Sequence, residues 1–249
     1  MVTERGELMR TDVLGVGFDN LTMNEAIERA EAYLSGRTSA YVVTPNPEIV
    51  WLCKKDPAVA EAVSNAALVL PDGIGVIYGA KILKRPLRER VSGTDFAEKL
   101  MERMAKQGRS AYLLGAKPGV AEKAAQNLTA KYPGLVVAGT ADGFFTDDAP
   151  VVEAINAADP DFLIVGLGAP KQQERWMAIQ KDKLRVGLMG GFGGSIDVWA
   201  GTVARAPMGW QKANLEWLYR LIKQPKRIKR QIKLPLFMFA VIGQRLRGK

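Results

Sequence analysis

The chain is expected to fold as an α/β protein, with a mostly parallel sheet, helices on both faces and a basic helical appendage at its C-terminal side. Three observations carry this expectation. Short continuous apolar runs alternate with helix-period segments over residues 1–200, the mark of strands buried on both faces. Turns rich in glycine and proline follow those runs. Charge is segregated: Trp217 to Lys249 holds ten Lys/Arg and no Asp/Glu, whereas the rest holds 25 basic and 26 acidic side chains, so the whole +9 excess lies in the tail. The reading divides the chain into a core, 1–200, and an appendage, 201–249.

Each element has a local reason. Residues 12–18 read as a strand, and Thr22 to Glu25 has capping-box spacing that opens a helix to about Leu34. AYVVT (40–44) is a strand. Asn46-Pro47 and Asp56-Pro57 each pair an N-cap with proline at the first helical position, opening helices from 47 and 57. Residues 67–70 form a strand, with a helix from near Gly73 and another from Thr94 to Lys106. Strands are then expected at 110–115, 135–138, 161–166 and 184–189, separated by helices at 118–131, 147–158 and 170–180. Connections of this kind are right-handed and place ligands at the carboxyl ends of the strands.

Composition removes several kinds of chemistry. The sequence has no histidine and one cysteine, Cys53. Histidine-dependent nucleophilic catalysis, an intrachain disulfide and the usual zinc sites are therefore excluded. Cys53 reads as a small buried hydrophobe. Acid–base work near neutral pH falls to Asp, Glu, Lys or Tyr. The N-terminal MVTERGELMR lacks the apolar region of a secretory signal. Neither a GxGxxG fingerprint nor a P-loop is present, which disfavours nicotinamide and ATP chemistry. Asp159-Pro160-Asp161 spells a metal-binding Asp-x-Asp, but it precedes a strand and so falls at the wrong end of the sheet. No metal and no cofactor are expected.

The unusual residues gather where strands end: TPN, PDG, GAKPG, GTADGFF, GLGAPKQQ and GGFGGSID. Glycine lets a ligand approach the backbone and helix N-termini favour anions, so a nucleotide or other phosphorylated ligand is expected there. Asp72, between Pro71 and Gly73, is open to two readings, an N-cap or a base in the cleft. In the tail, Trp217, Leu221, Ile228 and Ile232 fall on one helical face, and Arg220, Lys223, Arg227 and Arg230 on another. Pro225 should split this helix. LPLFMFAVI (234–242) is too short to span a bilayer. An amphipathic segment on an anionic membrane surface, a helix pair packed on the core and a nucleic-acid-binding tail all fit; no nucleic-acid motif is present.

TPNPEI (44–49), LPDG (70–73), RVSGTDF (90–96), GLGAPKQQERW (166–176), GGFGGSIDVWAG (190–201), RAP (205–207) and LEWLYRL with the following Pro225, Arg227 and Arg230 occur in one order over residues 12–232. Together they resemble the TagA/WecG/CpsF family of bacterial glycosyltransferases, family 26, nearest its TagA type. The resemblance implies a Rossmann-like core and a cytoplasmic enzyme on the inner membrane face. It implies transfer of N-acetylmannosamine from a UDP-sugar donor to polyprenyl-diphosphate-linked GlcNAc, by a β-1,4 link, in teichoic acid assembly. N-acetylmannosaminuronic acid or glucose donors are alternatives, as is a non-catalytic UDP-sugar-binding protein at the membrane. A homo-oligomer is compatible with all of these.

The resemblance makes Asp72 the general base. Thr44 and Asn46 become hydrogen-bond donors to the sugar or diphosphate, although Asn46 also reads as an N-cap. Gln172 or Gln173 holds the sugar; the family motif is Pro-x-Gln-Glu, and the extra residue after Lys171 leaves the choice open. Asp197 is a candidate for uridine, Phe144 for stacking on uracil, and Gly166 and Gly168 for close ligand approach. Arg220, Arg227 and Arg230, with Arg90 as a further candidate, suit a leaving diphosphate because guanidinium forks match its oxygens.

Overall fold

Side chains alternate along each central strand between two apolar layers, and this places the sheet inside the protein. A computed structural model describes residues 10–168, 171–223, 225, 228 and 232–248. The N-terminal stretch through Met9 lies outside these residues, as do Arg227 and Arg230. Six strands, β3 (Ala40–Val43), β4 (Leu68–Val69), β5 (Ser110–Gly115), β6 (Val136–Ala141), β7 (Phe162–Gly166) and β8 (Leu188–Gly191), form a wholly parallel sheet in the order β4-β3-β8-β7-β5-β6. Tyr41, Val43, Tyr112, Leu114, Leu163, Val165 and Met189 enter one layer. Val42, Ala111, Leu113, Phe162, Ile164 and Leu188 enter the other. Both faces are apolar because both are covered.

Helices α1 (Met23–Gly36), α5 (Gly93–Lys106), α6 (Val120–Lys131) and α9 (Ser195–Trp199) cover the second layer. The first is covered by α2 (Pro47–Cys53), α3 (Pro57–Ser64), α4 (Ile74–Ile82), α7 (Ala149–Ala158) and α8 (Gln173–Gln180). The expected caps form: Thr22 and Glu25 close a reciprocal capping box on α1, Asn46 Oδ1 accepts from Glu48 N and Ile49 N, and Asp56 Oδ1 accepts from Ala58 N and Val59 N. Cys53 is buried, and burial pushes its thiol pKa up to about 12. It is an inert apolar group at neutral pH.

Three expectations change in detail. The single strand at 12–18 is a hairpin of β1 (Arg10–Val13) and β2 (Val16–Asp19), turning at Leu14 and Gly15, both with positive φ. A leucine is a rare choice for such a turn, and this concealed it. The strand expected at 184–189 lies at 188–191, and Gly190 and Gly191 belong to it. They pair with Val42 and Val43 on one side and with Ile164 and Val165 on the other. A side chain at Gly190 would meet the Phe192 ring at 2.2 Å, so a glycine pair that reads as a strand terminator is needed in mid-sheet. The strand expected at 135–138 runs on to Ala141.

The chain continues through α10 (Met208–Lys212), α11 (Glu216–Lys223) and α12 (Lys233–Leu246). Phe237 and Val241 of α12 are fully buried and join the first apolar layer. They seat on α4 where side chains are missing: a Cβ on Gly79 would lie 3.1 Å from the Phe237 ring, and one on Gly75 3.0 Å from Leu234. Gln244 also reaches the hairpin, accepting from Leu14 N at 3.3 Å and donating to Asp12 Oδ1 at 3.3 Å. Among the described residues no helix is long and apolar enough to cross a membrane.

Candidate active site at the carboxyl edge of the sheet

The ends of β3 and β4 run on side by side: Leu70 N donates to Val43 O at 2.9 Å and Asp72 N to Pro45 O at 3.3 Å. Val91 N then donates to Pro71 O at 2.9 Å, which draws the segment before α5 against Asp72. Thr44, Asn46, Asp72 and Gly93 are thereby gathered at one place. Gly93 is required there, because a Cβ would lie 2.7 Å from Thr44 Oγ1. Its N–H points at Asp72 Oδ2 across 3.5 Å, a long and weak hydrogen bond at the N-terminus of a 14-residue helix.

Asp72 does not cap α4. Gly73 occupies the N-cap position and no side chain bonds to the helix there. The Asp72 carboxyl is left for other work. The residue keeps some solvent contact, yet its carboxyl is crowded by protein atoms, and this desolvation raises its pKa above the ordinary 3.8. Arg90, the Gly93 N–H and Arg220 pull it the other way, and Glu216 raises it further. The charges of Arg90, Arg220 and Glu216 thus all act on Asp72, the last two from α11. Asn46 spends its oxygen on the α2 cap, while its NH2 has no hydrogen bond among the described residues and stays free to donate.

A second group of residues lies at the β5/β7 boundary. The chain leaves β5 towards β6 and leaves β7 in the opposite direction towards β8, so this is the switch point where open α/β sheets bind ligands. Gly115 and Gly166 pair there, and a Cβ on Gly115 (φ +138°) would lie 2.4 Å from Gly166 O. Gly168 is exposed one turn further, and its carbonyl accepts from Gln172 N at 2.9 Å. Phe144 stands 69% exposed beyond β6. Asp197 lies in the first turn of α9, half-buried.

The two glutamines differ. Gln173 is buried, with its oxygen on Gly193 N at 2.9 Å and its NH2 on Glu174 Oε1 at 3.1 Å, so it fastens the β8 turn to α8. Gln172 is half-buried, carries a positive φ of 55° and donates to Glu174 Oε2 at 2.7 Å. Glu174 is 2% exposed, and burial raises its pKa against the pull of these amides. Gln172 is thus the glutamine with an open side.

The structure gathers Thr44, Asn46 and Asp72 at one place, with Arg90 and Arg220 acting on Asp72 through their charge, and sets Gly166, Gly168, Gln172 and Gln173 at the neighbouring strand ends. Phe144 lies further out beyond the edge strand, and Asp197 sits at the start of α9. Arg227 and Arg230 lie outside the described residues. Asp159 and Asp161 are at the opposite sheet edge, engaged by Arg37 and Arg109. Among the described residues, no group of three or more His, Cys, Asp or Glu is placed to hold a metal ion.

Two positions that the sequence reading passed over also matter here. Arg205 bonds to Asp95, lies 3.7 Å from Glu98 and 3.9 Å from Glu216, and so ties α11 to α5. Arg205 and Glu216 both stand in motifs quoted above, RAP and LEWLYRL. The charges were visible, but not the contact between them.

An open parallel sheet with glycine turns and a crowded carboxylate at its carboxyl edge defines a doubly wound α/β protein. The Glycosyl transferase WecG/TagA/CpsF family model matches residues 11–249. Similar proteins include the N-acetylglucosaminyldiphosphoundecaprenol N-acetyl-beta-D-mannosaminyltransferases of Staphylococcus aureus strains MW2, NCTC 8325 / PS 47 and COL. Each is 34% identical over 242 residues, covering 96% of this chain and 95% of the relative. The chain belongs to the WecG/TagA/CpsF family and is a glycosyltransferase.

Proposed function

We propose that this enzyme transfers N-acetylmannosamine from UDP-N-acetylmannosamine to the 4-hydroxyl of a polyprenyl-diphosphate-linked GlcNAc, with inversion at the anomeric carbon and without a metal ion. The names of the relatives support the N-acetylmannosaminyl group and the GlcNAc-diphospholipid acceptor. The observation that carries the mechanism is the Asp72 carboxyl, left uncapped at the carboxyl edge of the sheet beside the Gly93 N–H, desolvated by burial and acted on by the charges of Arg90 and Arg220. The acceptor hydroxyl oxygen attacks the anomeric carbon as its proton passes to Asp72. The bond from that carbon to the diphosphate oxygen breaks, and UDP departs with the electron pair. A sugar hydroxyl is a poor acid, so the proton moves as the new bond forms, and the raised pKa makes Asp72 a better base.

Arg220, with Arg90 beside it, neutralises the leaving diphosphate, and Arg227 and Arg230 are proposed to complete that clamp. Thr44 and the free NH2 of Asn46 donate to the sugar or phosphate, and Gln172 holds the sugar. Phe144 and Asp197 are proposed for the uracil and ribose, across the glycine floor of Gly166 and Gly168. The test is a panel of UDP-sugars with a lipid-diphosphate-GlcNAc analogue in chelator, read by product mass. Transfer from UDP-N-acetylmannosamine is expected. Transfer only from another donor overturns the donor assignment, and transfer only after metal addition overturns the clamp.

We also propose that the appendage, residues 201–249, rests on an anionic membrane surface. On α12, Leu236, Phe239, Ile242 and Leu246 are exposed on the side opposite the buried Phe237 and Val241, with Arg245 and Arg247 nearby. Ile222 and Ile232 add exposed apolar area. This mixture suits an interfacial helix rather than a spanning one. Co-sedimentation with phosphatidylglycerol vesicles is expected to exceed that with phosphatidylcholine by about tenfold at low salt, and the double change Phe239→Ser with Leu246→Ser should remove most of it. Equal binding to both vesicles would sink the idea.

A further inference from the structure

Among the described residues, two completely buried side-chain polar atoms have no hydrogen-bond partner: Glu216 Oε1 and Arg220 Nε. They stand one turn apart on α11, at a spacing that would let the two side chains pair. No ion pair joins them among the described residues. Glu216 instead leans towards Arg205, whose guanidinium is 3.9 Å away, too far for a hydrogen bond. Both residues act electrostatically on Asp72, Arg220 lowering its pKa and Glu216 raising it.

Neither buried atom has a hydrogen bond to replace its lost hydration, although Glu216 Oε1 keeps the charge of Arg205 3.9 Å away, and native proteins rarely leave two such atoms together. Their combined chemistry is specific: an acceptor and a cationic donor at i and i+4 on one helix, positions whose Cβ atoms lie about 5–6 Å apart. A glycosyl phosphate presents the complement, a ring O–H or N–H next to a phosphate oxygen.

We propose that Glu216 is a further substrate-contacting residue: once substrate displaces the atoms that cover them, Oε1 accepts a hydrogen bond from an O–H or N–H of the transferred sugar, while Arg220 Nε donates to an oxygen of the adjoining phosphate. This rests on the transferase reading above. Arg205 is the positioning residue. Its fork is anchored on Asp95 and Glu98 of α5, so it offsets the Glu216 charge while leaving Oε1 unoccupied.

The test combines variants with donor analogues. Wild type, Glu216→Ala and Glu216→Gln are assayed with UDP-N-acetylmannosamine and with analogues that lack one sugar hydroxyl or carry an ester oxygen in place of the acetamido N–H. Removing the contacted group should lower wild-type kcat/KM about 10–100-fold, the range for a hydrogen bond to a charged group. Glu216→Ala should lose a similar factor with the natural donor and nothing further with that analogue. Glu216→Gln keeps an acceptor oxygen and should retain part of the discrimination.

If Glu216 only props α11, every donor falls by one common factor and discrimination survives in Glu216→Ala, which overturns the proposal. Circular dichroism checks folding. Should the alanine variant unfold, Glu216→Gln decides: discrimination equal to wild type for every analogue overturns the contact. A wild-type protein indifferent to each analogue overturns it as well. Absence of any wild-type turnover with UDP-sugars is a separate result, since it removes the transferase reading itself.

Discussion

Replacing Asp72 with Asn is expected to lower kcat for sugar transfer about 10²–10⁴-fold, the usual worth of a positioned general base, while UDP affinity changes by only a few-fold. Asn keeps the shape and removes the proton acceptor. The same change should raise the melting temperature at neutral pH. Burial lifts the folded-state pKa of Asp72 above its ordinary value. For a group raised in this way, the stabilising contribution is fully present below the unfolded pKa and is lost as pH rises through the folded pKa. At pH 7 the charged form is therefore a burden that Asn lacks. For catalysis the sign is opposite: the base must be ionised, so kcat should fall on acidification at a pH above 3.8, the ordinary value for the group. A variant with wild-type kcat, or a profile flat down to that pH, would remove Asp72 from the reaction.

Truncation of Phe237 to Ala should have the largest effect on stability, about 3–5 kcal/mol, because a fully buried ring is lost and the fold collapses only in part around the hole. The ring lies on Gly79 of α4, and α4 packs on the sheet together with the hairpin. At about 2–4 °C per kcal/mol for a chain of this size, thermal melting should detect the change easily. Denaturant unfolding should show a lower midpoint. If α12 is only a loosely tethered arm, the variant will melt with the wild type.

Much of this architecture is written locally. Asn46-Pro47, Asp56-Pro57 and Thr22 with Glu25 cap helices through hydrogen bonds made within three residues, so a reader of the sequence can place them. The apolar runs of β5 and β7 announce strands buried on both faces. The misread places depend on distant partners. Gly190 and Gly191 look like a strand end until Phe192 is seen folded across them. The Leu14–Gly15 turn lacks the Asn-Gly signal and is held in part by Gln244, 230 residues away.

The site follows the same rule. Asp72 was legible as a residue at the carboxyl end of a strand, where such sheets bind ligands, but its freedom from capping was not. Asp before Gly can satisfy a helix start, and only the fold shows Gly73 taking that place. Glu216 was hidden for another reason. An acidic residue near the start of a basic helix reads as a dipole partner, and its buried, unsatisfied oxygen emerges only once Arg205 crosses from the preceding loop. The two glutamines could not be ranked from the motif, because their difference lies in which one reaches Gly193.

The seating of α12 against α4 and the hairpin also bears on synthesis. Val13, Val16, Val76 and Ala80 emerge from the ribosome long before Phe237 and Val241, which share their apolar layer. Until α12 follows, that layer lacks part of its cover, and contacts between segments so far apart in sequence form late. The nascent protein must therefore travel most of its length with an adhesive strip uncovered.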